Sequence, residues 1–286
     1  MLTIYTTDIE TIDVSNFYKW ADEQYSEKTF NKCFIAIKAF FNFLIEIENI
    51  EMKNPFRTYV SKIVPPSIIE TISEKEFNMI LEAVDTFDPI NVLGGKGEKK
   101  NMYKPYLKNG FKLFLLTGGR REEVVDLKWS EIFSTPQGIK LFIIDNDKAN
   151  KIKKDGKERK KYIGINADLE EFLIELGMNE KIGKDEYILF PERTVKSKTI
   201  MDDLSKGFTH FKKGACITKN ISLNNLRKTY LTWHHQILGD DTGLVSSHST
   251  TDVLERYYLD PKVLTAVEIS ALKVRVFGSK NNSNKD

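Results

Sequence analysis

Thr117-Gly118-Gly119-Arg120-Arg121-Glu122-Glu123-Val124-Val125-Asp126-Leu127-Lys128-Trp129 is the stretch from which the architecture of this chain can be worked out. The apolar run Phe111 to Leu116 leads into it. By itself, Arg121-Glu122-Glu123 is the solvated first turn of an amphipathic helix whose Val124, Val125 and Leu127 face inward. Later stretches change its weight. Asn224-Asn225-Leu226-Arg227 is followed by Thr229 and Tyr230; Val245-Ser246-Ser247-His248-Ser249 comes next; and Tyr257 stands nine residues after His248. Each is ordinary alone, since Asn and Arg are common on surfaces, a single histidine is usually a hydrogen-bonded structural one, and Tyr257-Tyr258 reads as an aromatic core pair. The ordered conjunction is not ordinary.

That conjunction resembles the active site of the tyrosine recombinases, the phage-integrase family. The first arginine box of that family, Thr-Gly-x-Arg-x-x-Glu-x-x-x-Leu-x-Trp, is matched by Thr117, Gly118, Arg120, Glu123, Leu127 and Trp129. In the second box Leu226, Arg227, Thr229 and Tyr230 fit, and Asn224 stands where a histidine is usual. In the third, Ser247 replaces the glycine before His248, and Tyr257 has the family's spacing to its nucleophile. The resemblance covers roughly Ile72 to the end of the chain. It implies cleavage and rejoining of DNA through a 3′-phosphotyrosine, with no metal and no cofactor.

The chemistry explains the residue types. Attack on a phosphodiester adds negative charge to its non-bridging oxygens, and two always-protonated guanidinium forks suit that charge. Arg120 and Arg227 are the candidate clamp, with Asn224 and His248 beside them in the implied catalytic set. A tyrosine hydroxyl is a poor nucleophile at its free pKa near 10, so cationic neighbours that favour the phenolate help it. Tyr257 is the candidate nucleophile, with Tyr258 as its adjacent rival. The family takes the leaving-group proton from a lysine in a β-hairpin. Lys148, just past the apolar strand Leu141 to Ile144, is the candidate, and Lys151, Lys153 and Lys154 are its rivals. Arg121 competes with Arg120, and the Thr-Gly-x-Arg frame favours Arg120.

Composition fits a DNA enzyme of ordinary globular make-up: 286 residues, 41% hydrophobic, with a formal net charge of +2. So small a net charge leaves DNA contact to local patches. The densest patch runs from Lys148 to Lys161. Lys151, Lys153, Lys154, Lys157 and Arg159 are the candidate phosphate contacts; a solvated hairpin tip is the bland reading. Two cysteines, Cys33 and Cys216, indicate no disulfide framework and point to a reducing cytoplasm. Neither a signal peptide nor an apolar stretch of about 18 residues is present.

The expected fold is mixed α+β and mainly helical. A small helical domain over 1–62, resembling the family's core-binding domain, precedes a linker at 63–70 and a catalytic domain over 71–286 with a small antiparallel sheet. Periodicity predicts helices at Val14 to Ala21 and Ser26 to Glu48, the second with Phe30, Phe34, Ile37, Phe41 and Leu44 on one face. Residues 1–62 hold more acids than bases, which argues against strong DNA contact by that domain. Ser73-Glu74-Lys75-Glu76 has capping-box form and opens a helix through Leu81. Leu93 to Gly97 reads as a loop, Leu141 to Ile144 and Lys161 to Ile165 as strands. Asp168 to Leu176, Met201 to Lys212, Leu226 to Leu238 and Thr251 to Tyr258 read as helices. Val263 to Phe277 is an apolar-rich tail; in the family such a tail docks on a neighbouring protomer, and docking on its own domain is the alternative.

The resemblance implies a site-specific recombinase, either a mobile-element integrase or a resolvase of the Xer type. Its partner is double-stranded DNA, bound as a homo-tetramer across two sites and as a monomer or weak dimer without DNA. A type IB topoisomerase and a recombinase-derived DNA-binding protein are the alternatives.

Overall fold

The computed structural model describes residues 6–58, 60–65, 70–92, 97–135, 138–145, 160–239 and 261–276. The chain divides into two compact units, Met1–Ile68 and Ile69–Asp286. Its architecture is mainly helical with small antiparallel sheets, as the periodicities predict.

In the first unit, α1 (Thr11–Gln24) and α2 (Glu27–Glu46) close on an apolar core of Val14, Ala21, Phe30, Phe34, Phe41 and Phe56. The phenylalanines of α2 recur at steps of four and seven, so they share the face that meets α1. Tyr18 meets Phe30 edge-on with centroids 4.8 Å apart, the arrangement that suits opposed ring quadrupoles. Asn31 fastens the chain that follows, donating to the Lys62 carbonyl and accepting from the Lys62 amide, both at 2.8 Å.

The second unit opens with α3 (Glu74–Thr86). Its capping box forms as expected: the Glu76 amide donates to Ser73 Oγ, and the Ser73 amide donates to the Glu76 carboxylate at 2.9 Å. A short hairpin of β1 (Ile90–Val92) and β2 (Lys99–Asn101) follows. Sequence reading misses it, because strands of three residues are too short to show alternation. At the centre lies α4 (Leu107–Thr117), with Leu107, Phe111, Leu113, Phe114 and Leu115 buried.

Next come α5 (Arg121–Val125) and a three-stranded antiparallel sheet in the order β3 (Ile132–Ser134), β4 (Lys140–Asp145), β5 (Lys160–Gly164). Its register pairs Phe142 with Ile163, Ile144 with Lys161 and Asp145 with Lys160. The helices α6 (Ala167–Glu175), α7 (Met178–Lys181), α8 (Ser197–Gly214) and α9 (Asn224–Leu238) complete the body.

The last element, α10 (Pro261–Lys273), packs against β5 and α9 of its own chain. Ala266, Val267, Ser270 and Ala271 are buried, as are Val274 and Val276 beyond the helix end. The Asn166 side chain donates to the Val274 carbonyl at 3.2 Å, and Arg275 pairs with Asp168. Among the described residues no helix is long and apolar enough to cross a membrane.

Candidate active site

The turn between α4 and α5 sets the geometry. Gly118 ends α4 with φ +57°, a left-handed conformation that side chains resist. The Tyr230 ring of α9 lies against it, so a Cβ there would stand 2.1 Å from a ring carbon. The chain then extends through Arg120, the residue preceding α5 (φ −75°, ψ 161°). The far end of α5 is clamped by Arg193, which donates to Asp126 at 2.8 Å and to the Val125 carbonyl at 2.7 Å while lying on the Tyr187 ring.

Glu123 gathers the cluster. Its Oε2 accepts from the Arg120 backbone amide at 2.6 Å, and its Oε1 accepts from the Arg120 guanidinium at 2.6 Å. The Lys161 ammonium, arriving from β5, sits 2.7 Å from Oε2. Side-chain exposure is 8% for Glu123 and 2% for Lys161. Arg227 enters from α9 and donates to the Gly118 carbonyl, bridging 109 positions of sequence. Arg121 turns to α8 instead, donating to Ser205 Oγ at 3.1 Å. Of the two adjacent arginines, Arg120 is the one in the cluster.

The electrostatics follow from burial and neighbours. Burial alone would raise the Glu123 carboxyl, but the Lys161 charge and the donors of Arg120 overcome it and hold it at about 2. Burial draws Lys161 down to about 8; Glu123 pulls it up, and Arg227 and Arg120 push it down. Burial also lowers Arg227, with Glu123 opposing and Arg120 assisting. Among the described residues the cluster brings together the cations Arg120, Arg227 and Lys161 and the anion Glu123. Two guanidinium forks side by side suit a phosphate.

The two arginine boxes thus meet in space. Asn224 is exposed at the start of α9, whereas its neighbour Asn225 is buried and holds the entry to that helix, accepting from the Ser222 amide at 3.0 Å and donating to the Glu70 carbonyl at 2.8 Å. Lys148, Lys151, Lys153, Lys154, Lys157, Arg159, His248 and Tyr257, with the rival Tyr258 and the helix expected at Thr251 to Tyr258, lie outside the described residues.

Sequence reading missed Lys161 as a site residue and counted it as the end of the basic run. A signal was present: alternation along Lys160-Lys161-Tyr162-Ile163 puts Lys161 on the same face as Ile163. A lysine on a core-facing strand position requires a buried anion. No group of three or more metal-ligating side chains occurs among the described residues.

No profile of a known protein family matches the sequence, and no curated protein matches it. Solved structures do match in fold, and that fold is the one of the tyrosine recombinases. The chain is similar to a lambda integrase (75-356) dimer bound to a COC′ core site, with a TM-score of 0.60 and 14% identity over 91% of this chain and 86% of that one. It is also similar to the integrase (82-397) of transposon Tn1549 in complex with circular intermediate DNA, with a TM-score of 0.54 and 15% identity over 92% of this chain and 86% of that one. The XerH site-specific recombinase bound to a difH substrate gives a TM-score of 0.52 and 14% identity over 94% of this chain and 74% of that one.

Proposed function

We propose that this protein is a site-specific DNA recombinase that cleaves and rejoins DNA through a 3′-phosphotyrosine, as a mobile-element integrase or an Xer-like resolvase. The observation that carries the reading is the meeting of Arg120 and Arg227 in a locally cationic cluster, from boxes more than 100 positions apart. The similar fold of two integrases and a site-specific recombinase, each solved bound to DNA, supports it.

In the proposed step the Tyr257 oxygen attacks the phosphorus, losing its phenolic proton. The bond from phosphorus to the 5′-oxygen breaks, and that oxygen leaves with a proton from the hairpin lysine, Lys148 or a neighbour. Arg120 and Arg227 bind the non-bridging oxygens, whose charge grows as the phosphorus becomes five-coordinate. His248 and Asn224 complete the proposed catalytic set, and Lys151, Lys153, Lys154, Lys157 and Arg159 hold the DNA backbone. A homo-tetramer on two double-stranded DNA sites is the proposed assembly, formed from monomers or weak dimers; a tetramer on a Holliday junction is the state of one lambda integrase structure of similar fold.

The test is a suicide substrate, nicked so that the 5′-hydroxyl is lost and the covalent adduct accumulates. Wild type is expected to form the adduct, and Tyr257→Phe to bind DNA without forming it. An adduct from Tyr257→Phe that is absent from Tyr258→Phe transfers the role to the neighbour. A DNA-binding protein without cleavage is the second reading, favoured by Asn224 and Ser247 at positions where the family has histidine and glycine. Binding by wild type with no adduct would select it.

A further inference from the structure

Lys161 has no role in the cleavage step just described, yet it is the most deeply buried cation of the cluster. Removing an ammonium from water is costly, and lysine is almost never fully buried without a partner. Here the partner is Glu123, whose Oε2 Lys161 shares with the Arg120 amide.

Consider the cluster without that lysine. Glu123 would be a buried carboxylate opposed by Arg120 alone, and the guanidinium meant for a ligand would be the counter-ion of its own helix. Lys161 eases that conflict by approaching Glu123 from the sheet and sharing the charge of a carboxylate that Arg120 would otherwise balance alone. The link also ties β5 to α5. Since strand faces alternate every residue, a slip of one position would turn Lys161 away from Glu123.

We propose that Lys161 is the positioning residue of the arginine clamp: through Glu123 it orients Arg120 and shares the Glu123 charge, so that Arg120 is not the sole counter-ion of its own helix. The proposal rests on the recombinase reading of those two arginines. It makes Lys161 distinct from the leaving-group acid, because an ammonium this buried and bonded to Glu123 is not presented to a departing oxygen.

The experiment uses the full chain and three proteins: wild type, Lys161→Met and the double variant Lys161→Met/Glu123→Gln. Adduct formation is timed on the suicide substrate and on one with sulfur at the 5′-bridging position, whose leaving group needs no proton. Lys161→Met is expected to slow cleavage about 100-fold with DNA affinity changed by less than about fivefold, and the thio substrate does not rescue it. The double variant, in which no buried carboxylate competes for Arg120, is expected to regain about tenfold or more over Lys161→Met. Thermal unfolding follows each protein, and the double variant keeps the comparison meaningful if Lys161→Met is poorly folded.

Full rescue by the thio substrate would make Lys161 the acid and overturn the proposal. So would cleavage by Lys161→Met within about threefold of wild type, or a double variant no faster than the single. Absence of any adduct from wild type would instead remove the recombinase reading, which separates the two failures.

Discussion

Two polar side chains on α9, the half-buried Arg227 and the buried His234, stand seven residues and about two turns apart and therefore share a side of one helix. Their environments are opposite. Arg227 meets the turn after α4 within a cluster of charges. His234 meets α10 and is neutral: burial pushes its pKa down to about 4 against the upward pull of the Tyr230 carbonyl. Its ring stacks on Tyr230 with centroids 3.7 Å apart. Because the Tyr230 carbonyl, 2.8 Å from Nδ1, can only accept, Nδ1 carries the proton; Nε2 then accepts from Ser270 Oγ at 2.6 Å.

The difference teaches what each contact is for. Where two elements only have to stay docked, a neutral hydrogen-bonded group avoids the cost of burying charge. Among the described residues the fully buried cation, Lys161, lies in the charged cluster, which is drawn from three separate elements, α5, α9 and β5.

The largest expected effect breaks the charged side alone. Arg120→Ala or Arg227→Ala should add about 3 kcal/mol or more to the cleavage barrier, as loss of a preorganised charge donor does, while DNA binding weakens far less. Single-turnover cleavage with parallel gel shifts measures both, and rates within tenfold of wild type for both variants would remove the clamp.

Acid separates the two sites next. His234 is lowered from 6.5 to about 4, so between those values the unfolded chain binds the extra proton. Its contribution is complete above pH 6.5 and is lost as pH falls toward 4, by about 3 kcal/mol in all. Glu123, lowered from 4.5 to about 2, loses its contribution only as pH falls from 4.5 toward 2. Urea unfolding between pH 7 and 4.5 should therefore report His234, and His234→Phe should flatten that leg. A slope unchanged in the variant would assign the acid sensitivity elsewhere.

Gly118→Ala strikes the point where the two sides meet, since Gly118 supplies the acceptor for Arg227 and its Cα faces the Tyr230 ring that carries His234. The left-handed φ and the displaced ring should together cost about 2 kcal/mol in denaturant unfolding. Ser270→Ala is the smallest perturbation. It removes one hydrogen bond to a neutral ring and should cost about 1 kcal/mol, with adduct formation within about twofold of wild type. A large loss of cleavage there would show that α10 docking reaches the charged site.

Much of this was legible one-dimensionally. The α2 face of Phe30, Phe34 and Phe41, the Ser73 to Glu76 box and the strands around Leu141 and Ile163 each follow from periods of 3.6 or 2 and from near-neighbour hydrogen bonds. So did the pairing of the arginine boxes, because Thr117-Gly118-x-Arg120 and Leu226-Arg227 are recognisable as strings, although nothing in either string brings them together. The β1 and β2 hairpin was not legible, having too few residues for a period to show.

Neither was the work of Lys161, which in the linear chain is one cation among several and becomes a buried counter-ion only because the register sets it opposite Ile144 and α5 delivers Glu123 to the same place. Linear order thus specified which residue types are available and which elements they ride on. Folding specified their charge states, since desolvation and Coulomb interaction depend on what surrounds a group in space: His234 is neutral beside Ser270, and Lys161 is charged beside Glu123, for reasons 36 and 38 positions away in sequence.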